Sequence, residues 1–177
     1  MEQAPDPAFL SLVDLAEKLR GKAISPVEIT RHMLDRIEKL EPRLHAYALV
    51  TAEAALEEAR AAESEIMAGR YRGPLHGVPI AVKDLCFTKG VTTACGTTIL
   101  KDWKPEIDAT VVERLRLAGA VSLGKLQMTE AAFADHHPAI QPPLNPWNPA
   151  HWSGASSSGS GVATAAGLCF GSLGSDT

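Results

Sequence analysis

The sequence lacks most of the features that mark secreted, membrane-spanning or disulfide-stabilised proteins. Its three cysteines, Cys86, Cys95 and Cys169, are widely spaced and form no CxxC pair, so neither a disulfide framework nor a structural zinc site is expected. No apolar run approaches the ~18–20 residues that cross a bilayer. The N-terminus, MEQAPDPAFL, lacks the basic flank of a secretory signal. These absences predict a protein of the reducing cytoplasm with no membrane partner.

The charge pattern argues against a nucleic-acid partner. Seventeen Lys and Arg residues stand against twenty-one Asp and Glu, the net charge is -4, and no stretch concentrates basic side chains. A hydrophobic fraction of 45% with 21% charged residues is typical of a soluble globular protein. The length of 177 residues is enough to bury a core.

Residues 1–70 are predicted to form an N-terminal helical layer. Apolar residues recur at helical spacing in three stretches, and a capping box with proline at the first helical position opens the second. The predicted helices run from Leu12 to Leu19 before Gly21, from Ser25-Pro26-Val27-Glu28 to near Pro42, and from about Ala52 to Gly69.

Residues 71–177 alternate between strand-like and helix-like segments, which predicts an α/β fold with helices layered on a sheet. Pro79 suggests that its strand is an edge strand or begins just after the proline. Helix 108–117 is expected to turn Val111, Val112 and Leu115 inward. The predicted strands are Val78–Val82, Val121–Leu123 and Leu168–Phe170, with a further helix at Val162–Ala166.

The last residues, GSLGSDT, follow an apolar segment without a polar tail. A parallel sheet of so few strands would also leave exposed edges and an uncovered face. The sequence therefore predicts a truncated α/β core that is incomplete at its C-terminus.

Lys83 is the first candidate for chemistry, because it directly follows the apolar strand Val78–Val82. Burial there would lower its pKa and make the neutral amine a general base. The alternative is a lysine at the end of a strand that reaches solvent beside Asp84.

A serine cluster in a glycine-rich loop, GASSSGSG at residues 154–161, is the second candidate. Such a loop can present hydroxyls and backbone N–H groups at the start of a helix. The alternatives are a flexible linker, which the apolar helix that follows disfavours, and a phosphate loop, which would need a Lys-Ser/Thr ending that is absent.

The ordered motifs resemble the amidase signature family. Residues 74–84 (PLHGVPIAVKD) resemble the segment around the family's catalytic lysine, and the Ser/Gly loop and the terminal GSDT are similar to its later motifs. The segments DATVV (108–112), LAGAV (117–121), GK (124–125) and NPWNP (145–149) stand between them in the family's order. The resemblance covers roughly Ser25 to Thr177 and implies a mixed sheet layered with helices.

This resemblance implies an amidase that hydrolyses a linear carboxamide C–N bond through a Ser–cis-Ser–Lys relay, without metal or cofactor. Lys83 aligns with the lysine, and Ser156 with the middle serine, whose preceding bond, here Ala155–Ser156, is cis in the family. The nucleophilic serine would lie three positions beyond Thr177, so the 177-residue chain is expected to be inactive alone. Thr177 would form at most an edge of the oxyanion hole.

Further residues are assigned supporting roles. Asp84 and Asp176 are expected either to orient Lys83 and the nucleophile turn or only to cap local backbone, with Ser157 beside them. Ala155 and Ser158 replace glycines of the commonest family loop. His76 is expected to hold a turn, and Trp147 is expected to pack under the Ser/Gly loop. Glu130 to Phe133 are expected to line the acyl pocket. Asp135, His136 and His137 are expected to form a surface loop rather than a metal site.

Three functional interpretations stay open. The first is part of an enzyme that hydrolyses small-molecule amides. The second, within the same chemistry, is an A-type subunit of a tRNA-dependent amidotransferase. The third is a non-catalytic interaction or complementing module. The oligomeric state is open as well, with a homodimer as one alternative.

Overall fold

A computed structural model describes residues 6–176. Five α-helices and four strands are found in this part of the chain. The helices are α1 (Leu12–Arg20), α2 (Pro26–Leu44), α3 (Ala52–Met67), α4 (Thr110–Leu117) and α5 (Ser158–Ala165), and the strands are β1 (Tyr47–Val50), β2 (Pro79–Lys83), β3 (Val121–Leu126) and β4 (Ser172–Leu173). None of the helices described is long and apolar enough to cross a membrane.

The four strands form one mixed sheet in the order β1-β3-β2-β4. β2 runs parallel to both β3 and β4, whereas β1 pairs with β3 in the antiparallel sense. The predicted α/β class with a mixed sheet is therefore confirmed. Because β2 is an interior strand, Lys83 at its C-terminal end is surrounded by protein.

The helical layer follows the local sequence signals closely. Ser25 caps α2 through the backbone N–H groups of Val27 and Glu28, and the Glu28 side chain completes the capping box, as predicted. Gly21 ends α1, also as predicted. The end of α2 was expected near Pro42, and this proline falls in the last turn of the helix. The helix ends at Leu44, where His45 takes a left-handed conformation (φ 52°).

Of the two alternatives for Pro79, the edge strand is wrong, because β2 lies between β3 and β4. The other is close, since the strand begins at Pro79 itself, where a missing N–H is tolerated. One further strand prediction was wrong. Residues Leu168–Phe170 are not a strand. Leu168 is fully buried, but its N–H closes the end of α5 on the Ala163 carbonyl. The Phe170 N–H already donates to the Pro79 carbonyl of β2, while strand β4 begins at Ser172. A short apolar run indicates burial without specifying its backbone.

Smaller differences concern the sheet edge and α4. Strand β1 was not predicted, because its four residues do not alternate between buried and exposed side chains. Helices also precede and follow it in the sequence. Val111 was expected to face inward but is 40% exposed, since α4 lies at the surface. Val112 and Leu115, expected inward as well, are half-buried. The division of the chain near residue 70 stays a prediction.

The buried side chains form two clusters. One joins α2 and α5 to β3, with Met33, Leu123 and Val162 among its members. The other joins α1 to the start of β2 through Leu15, Leu19 and Ile80. The burial of apolar surface in these clusters fixes the β2 end, from which Lys83 projects.

Gly124 in β3 offers a test of the β1–β3 pairing. Its φ is +141°, and a Cβ atom there would overlap the carbonyl oxygen of Leu49. We expect Gly124→Ala to lower the free energy of unfolding by about 1–3 kcal/mol or more, measured by urea denaturation. Gly161→Ala is the matched control, because a Cβ atom at this position of α5 meets open space. This substitution should leave the free energy of unfolding unchanged or raise it by up to about 1 kcal/mol. Equal effects at both positions would contradict the register.

Candidate functional site

Lys83 occupies the last position of β2 and is completely buried. The next residue, Asp84, donates its backbone N–H to the Leu126 carbonyl, which holds the strand end against β3. The alternative of a lysine that reaches solvent is therefore wrong, because the core encloses both strand and side chain.

The Lys83 amine lies within hydrogen-bond distance of two serine hydroxyls. Its Nζ atom is 2.7 Å from Ser156 Oγ and 2.7 Å from Ser175 Oγ. The structure thus brings together Lys83 and Ser156, the two residues selected from the sequence. Ser175 was not selected, although it lies within the GSDT motif, because the motif drew attention to Asp176 and Thr177 instead.

The surroundings of Lys83 lower its affinity for a proton. Burial lowers the pKa of its amine, because the ammonium ion loses its hydration, and the nearby Cys86 thiol opposes this only in part. The two hydroxyl partners are neutral, so they do not restore a high pKa. The amine of Lys83 therefore releases its proton more readily than a lysine in water does.

Ser156 lies at the centre of a tight turn. Its φ is +59°, and the Ser157 N–H donates to the Ala155 carbonyl at 2.7 Å, which closes a three-residue γ-turn. All peptide bonds of residues 6–176 are trans, so the expected cis bond between Ala155 and Ser156 is not found. The γ-turn reverses the chain and directs the Ser156 hydroxyl to Lys83, with trans peptide bonds throughout.

Ser157 connects the Ser/Gly loop to the segment after β4. Its hydroxyl donates to the Ser175 carbonyl at 3.0 Å and accepts the Ser175 N–H at 3.0 Å. This double contact fixes the Ser175 backbone, and with it the hydroxyl that lies beside Lys83. The sequence placed Ser157 near the site without indicating this contact.

Asp84 acts on a different lysine from the one expected. Its carboxylate lies 3.3 Å from Lys125 Nζ and accepts the Ala94 N–H at 3.0 Å. Lys125 also donates to the Cys86 carbonyl and to Thr93 Oγ1. Burial raises the pKa of Asp84 and lowers that of Lys125, while their mutual attraction opposes both shifts. Asp84 therefore organises the loop after β2 and influences Lys83 only through the backbone.

The outcomes differ among the other selected residues. Asp176 is exposed, and Thr177 lies outside the described residues. Trp147 is 78% exposed, so the expected packing under the Ser/Gly loop is wrong. His76 holds its turn as expected, by accepting the Arg72 N–H at Nδ1. His136 contacts Ser158 and His137 lies near Thr98, so the two adjacent imidazoles have separate partners.

The segment before the Ser/Gly loop also contacts the site. Thr129 Oγ1 accepts the Ser156 N–H at 3.0 Å and donates to the Phe133 carbonyl at 2.6 Å. Residues Glu130 to Phe133 are thereby placed next to Ser156, but their expected role in an acyl pocket stays a prediction. Within residues 6–176, no three His, Cys, Asp or Glu side chains are grouped so as to hold a metal ion.

Comparisons with known proteins identify relatives of this chain over most of its length. The family model described as Amidase matches residues 28–177. The chain is 56% identical over 168 residues to AmiD of Mycobacterium tuberculosis, by name an amidase, covering 95% of this chain and 35% of AmiD. It is 46% identical over 171 residues to the A-type subunit of the glutamyl-tRNA(Gln) amidotransferase of Moorella thermoacetica, covering 96% of this chain and 35% of that protein.

A solved structure, the native peptide amidase from Stenotrophomonas maltophilia, superimposes with a TM-score of 0.85 at 36% identity. The match covers 93% of this chain and 36% of the peptide amidase. The chain thus spans about 35% of the length of the curated relatives it matches.

The buried pair of Asp84 and Lys125 predicts a strong, non-additive effect on stability. Lys125→Met leaves the Asp84 carboxylate buried without its cation and should lower the free energy of unfolding by about 3–5 kcal/mol. The double variant Lys125→Met/Asp84→Asn should lose less than the sum of the two single variants, measured by urea denaturation. Strict additivity would contradict a direct pairing.

The desolvation of Lys83 predicts a pH-dependent stability. The unfolded chain retains the Lys83 proton up to the ordinary pKa of 10.5, whereas the folded chain releases it at lower pH. Because the unfolded state binds more protons in this window, the free energy of unfolding should rise with pH until about 10.5. Lys83→Met should flatten the rise, and the same change at the exposed Lys39 should not. Parallel curves for Lys83→Met and the parent protein, from urea denaturation at a series of pH values, would contradict a lowered pKa.

Proposed function

Because the chain belongs to the amidase family, we propose that Lys83 and Ser156 form the proton relay of a serine amidase that hydrolyses a carboxamide C–N bond. The observation that carries this proposal is the 2.7 Å contact between the Lys83 amine and the Ser156 hydroxyl, at a lysine that is completely buried. A lysine with a purely structural role usually lies at the surface, where water hydrates its ammonium group. A buried lysine beside hydroxyl groups therefore supports a chemical role.

The relay moves a proton in two steps. The neutral Lys83 amine accepts the Ser156 proton, and Ser156 accepts the proton of the attacking serine hydroxyl, which is a poor nucleophile until a base is within reach. The family pattern assigns the attacking serine to the third position after Thr177. Its oxygen bonds to the carbonyl carbon as the C–N bond breaks, and the proton returns through the relay to the departing ammonia or amine. Water then hydrolyses the acyl-enzyme.

Ser157 and Ser175 give this relay its geometry. Ser157 holds the Ser175 backbone through two hydrogen bonds, and Ser175 gives the Lys83 amine a second hydroxyl partner at 2.7 Å. The amine is thereby kept between two hydroxyls instead of turning to one of them. A base positioned in this way needs little reorganisation when the proton moves.

The substrate class that we propose is a small linear carboxamide. The chain is 56% identical to AmiD, whereas the identity to the amidotransferase subunit is 46%. The second identity supports a second candidate, the release of ammonia from glutamine within an amidotransferase. Glutamine as the preferred substrate would favour that candidate, and simple amides would favour the first.

The cellular setting is part of the same proposal. Cys86, Cys95 and Cys169 are all free thiols in the part of the chain described, which is consistent with a reducing cytoplasm. A homodimer stays a prediction that no observation on these residues tests.

The relay can be tested in a chimera of residues 1–177 with the part of M. tuberculosis AmiD that follows its matched region. In this protein we expect Ser156→Ala and Lys83→Met each to lower kcat for a simple amide by about 10²–10⁴-fold, because general-base catalysis is lost. Ammonia release measures turnover. The 177-residue chain alone should show none.

Ser153→Ala is the matched control, because Ser153 directly precedes the Ser/Gly loop and donates to the Pro143 carbonyl, away from Lys83. It should retain the activity of the parent chimera. Full activity in Ser156→Ala, or turnover of an amide by the chain alone, would overturn the proposal.

A further inference from the structure

The turn at Ser156 needs external restraint. A γ-turn with a positive φ at a non-glycine residue is strained by about 1–3 kcal/mol and persists only where its surroundings determine it. Ser156 has φ +59° and closes such a turn. Its hydroxyl must nevertheless stay within 2.7 Å of the Lys83 amine. The contacts that hold residues 156–159 therefore decide whether the relay is assembled.

Three residues of this stretch are bound by one neighbouring segment, residues 127–136. The Ser156 N–H donates to Thr129 Oγ1 at 3.0 Å, and the Gly159 N–H donates to the Gln127 carbonyl at 2.9 Å. Between these two, a hydrogen bond of 2.9 Å joins Ser158 Oγ to His136 Nε2. Of the three contacts, this is the one that links two side chains.

The segment itself is closed by its own hydrogen bonds. The Glu130 N–H donates to the Asp135 carbonyl at 2.8 Å, and Thr129 Oγ1 donates to the Phe133 carbonyl. These contacts tie the residue before His136 to the start of the segment. The imidazole is thus presented on a short, closed loop instead of a free one.

The chemistry of the pair is suited to a fixed contact. Ser158, the first residue of α5, is 1% exposed, so water does not compete for its hydroxyl. Burial lowers the pKa of His136, and the neighbouring Asp135 opposes this shift. A neutral imidazole has one donor and one acceptor nitrogen, and a hydroxyl can complement either. Loss of the imidazole would leave the Ser158 hydroxyl buried and unpaired, which is costly.

We propose that His136 is a positioning residue, which holds the Ser156 turn against Lys83 by binding the Ser158 hydroxyl. This inference rests on the proposed function of Ser156 in the relay. It also gives a role to two side chains to which the family pattern assigned none. Ser158 stands in place of a family glycine, and His136 was expected only in a surface loop.

The geometry argues against a different use of the same pair, as a second nucleophile and base. Ser158 Oγ is enclosed by protein, and its backbone forms the first turn of α5, so a substrate carbonyl has no approach to it. The pair therefore acts on Ser156 through the backbone of residues 156–158.

Titration of Lys83 in the 177-residue chain tests the inference directly. The pKa is followed by the 13Cε chemical shift of Lys83, which is assigned by its loss in Lys83→Met. Opening of the turn would admit water to the amine, so His136→Leu and Ser158→Ala should each shift the Lys83 pKa upward, towards its ordinary value. His136→Gln retains a side chain that can donate and accept, and should keep the parent value.

His137→Leu is the matched control, since it removes the adjacent imidazole, whose contacts are with Thr98 and the Ala139 N–H. It should leave the Lys83 titration unchanged. If His136→Leu does not fold by circular dichroism, Ser158→Ala and His136→Gln decide the question, because they change fewer atoms.

The outcomes separate this inference from the proposed function. A parent protein in which Lys83 titrates at its ordinary pKa would overturn the relay itself. A lowered pKa in the parent that is unchanged in His136→Leu and Ser158→Ala would overturn the role of His136 alone. In the AmiD chimera, a loss of kcat of up to about 10²-fold at constant KM in His136→Leu, rescued in His136→Gln, is the corresponding kinetic result.

Discussion

The burial of one amine among neutral hydroxyl partners is the constraint around which the rest of this structure is arranged. Removing a lysine from water disfavours its charged form, and a nearby anion would restore that form. Lys83 is enclosed by the sheet and contacts the hydroxyls of Ser156 and Ser175. The cost of this arrangement is offset by the apolar packing of α1, α2 and α5 around β2 and β3.

The neighbouring strand shows the opposite solution to the same problem. Lys125 in β3 is also buried, but it faces the Asp84 carboxylate, a backbone carbonyl and the Thr93 hydroxyl. Two lysines on adjacent parallel strands thus have different environments, one with an ion pair and one with neutral hydroxyls. Since Asp84 is engaged by Lys125, it is unavailable to hold a proton on Lys83. The ion pair therefore keeps the Asp84 carboxylate directed to Lys125.

The loop that carries Ser156 depends on contacts that are far apart in the sequence. Thr129, His136 and Ser175 each bind a different residue of the stretch 156–158. A short turn of small residues has little stability of its own, and a positive φ at Ser156 lowers it further. The placement of the hydroxyl is consequently a property of the assembled domain, and the whole sheet contributes to it.

The sequence alone determined the features that depend on neighbouring residues. Helix periodicity, the Ser25–Glu28 capping box and the Gly21 stop are local, and they predicted α1 and α2 well apart from the extension past Pro42. The order of motifs indicated Lys83 and Ser156. Features that depend on pairing across the chain could not be obtained in this way: β1, the interior position of β2, and the non-strand conformation of Leu168–Phe170. Likewise, only the tertiary structure assigned Asp84 to Lys125 and Ser175 to Lys83, because a side chain's partner is decided by distance in space, which separation in sequence does not specify.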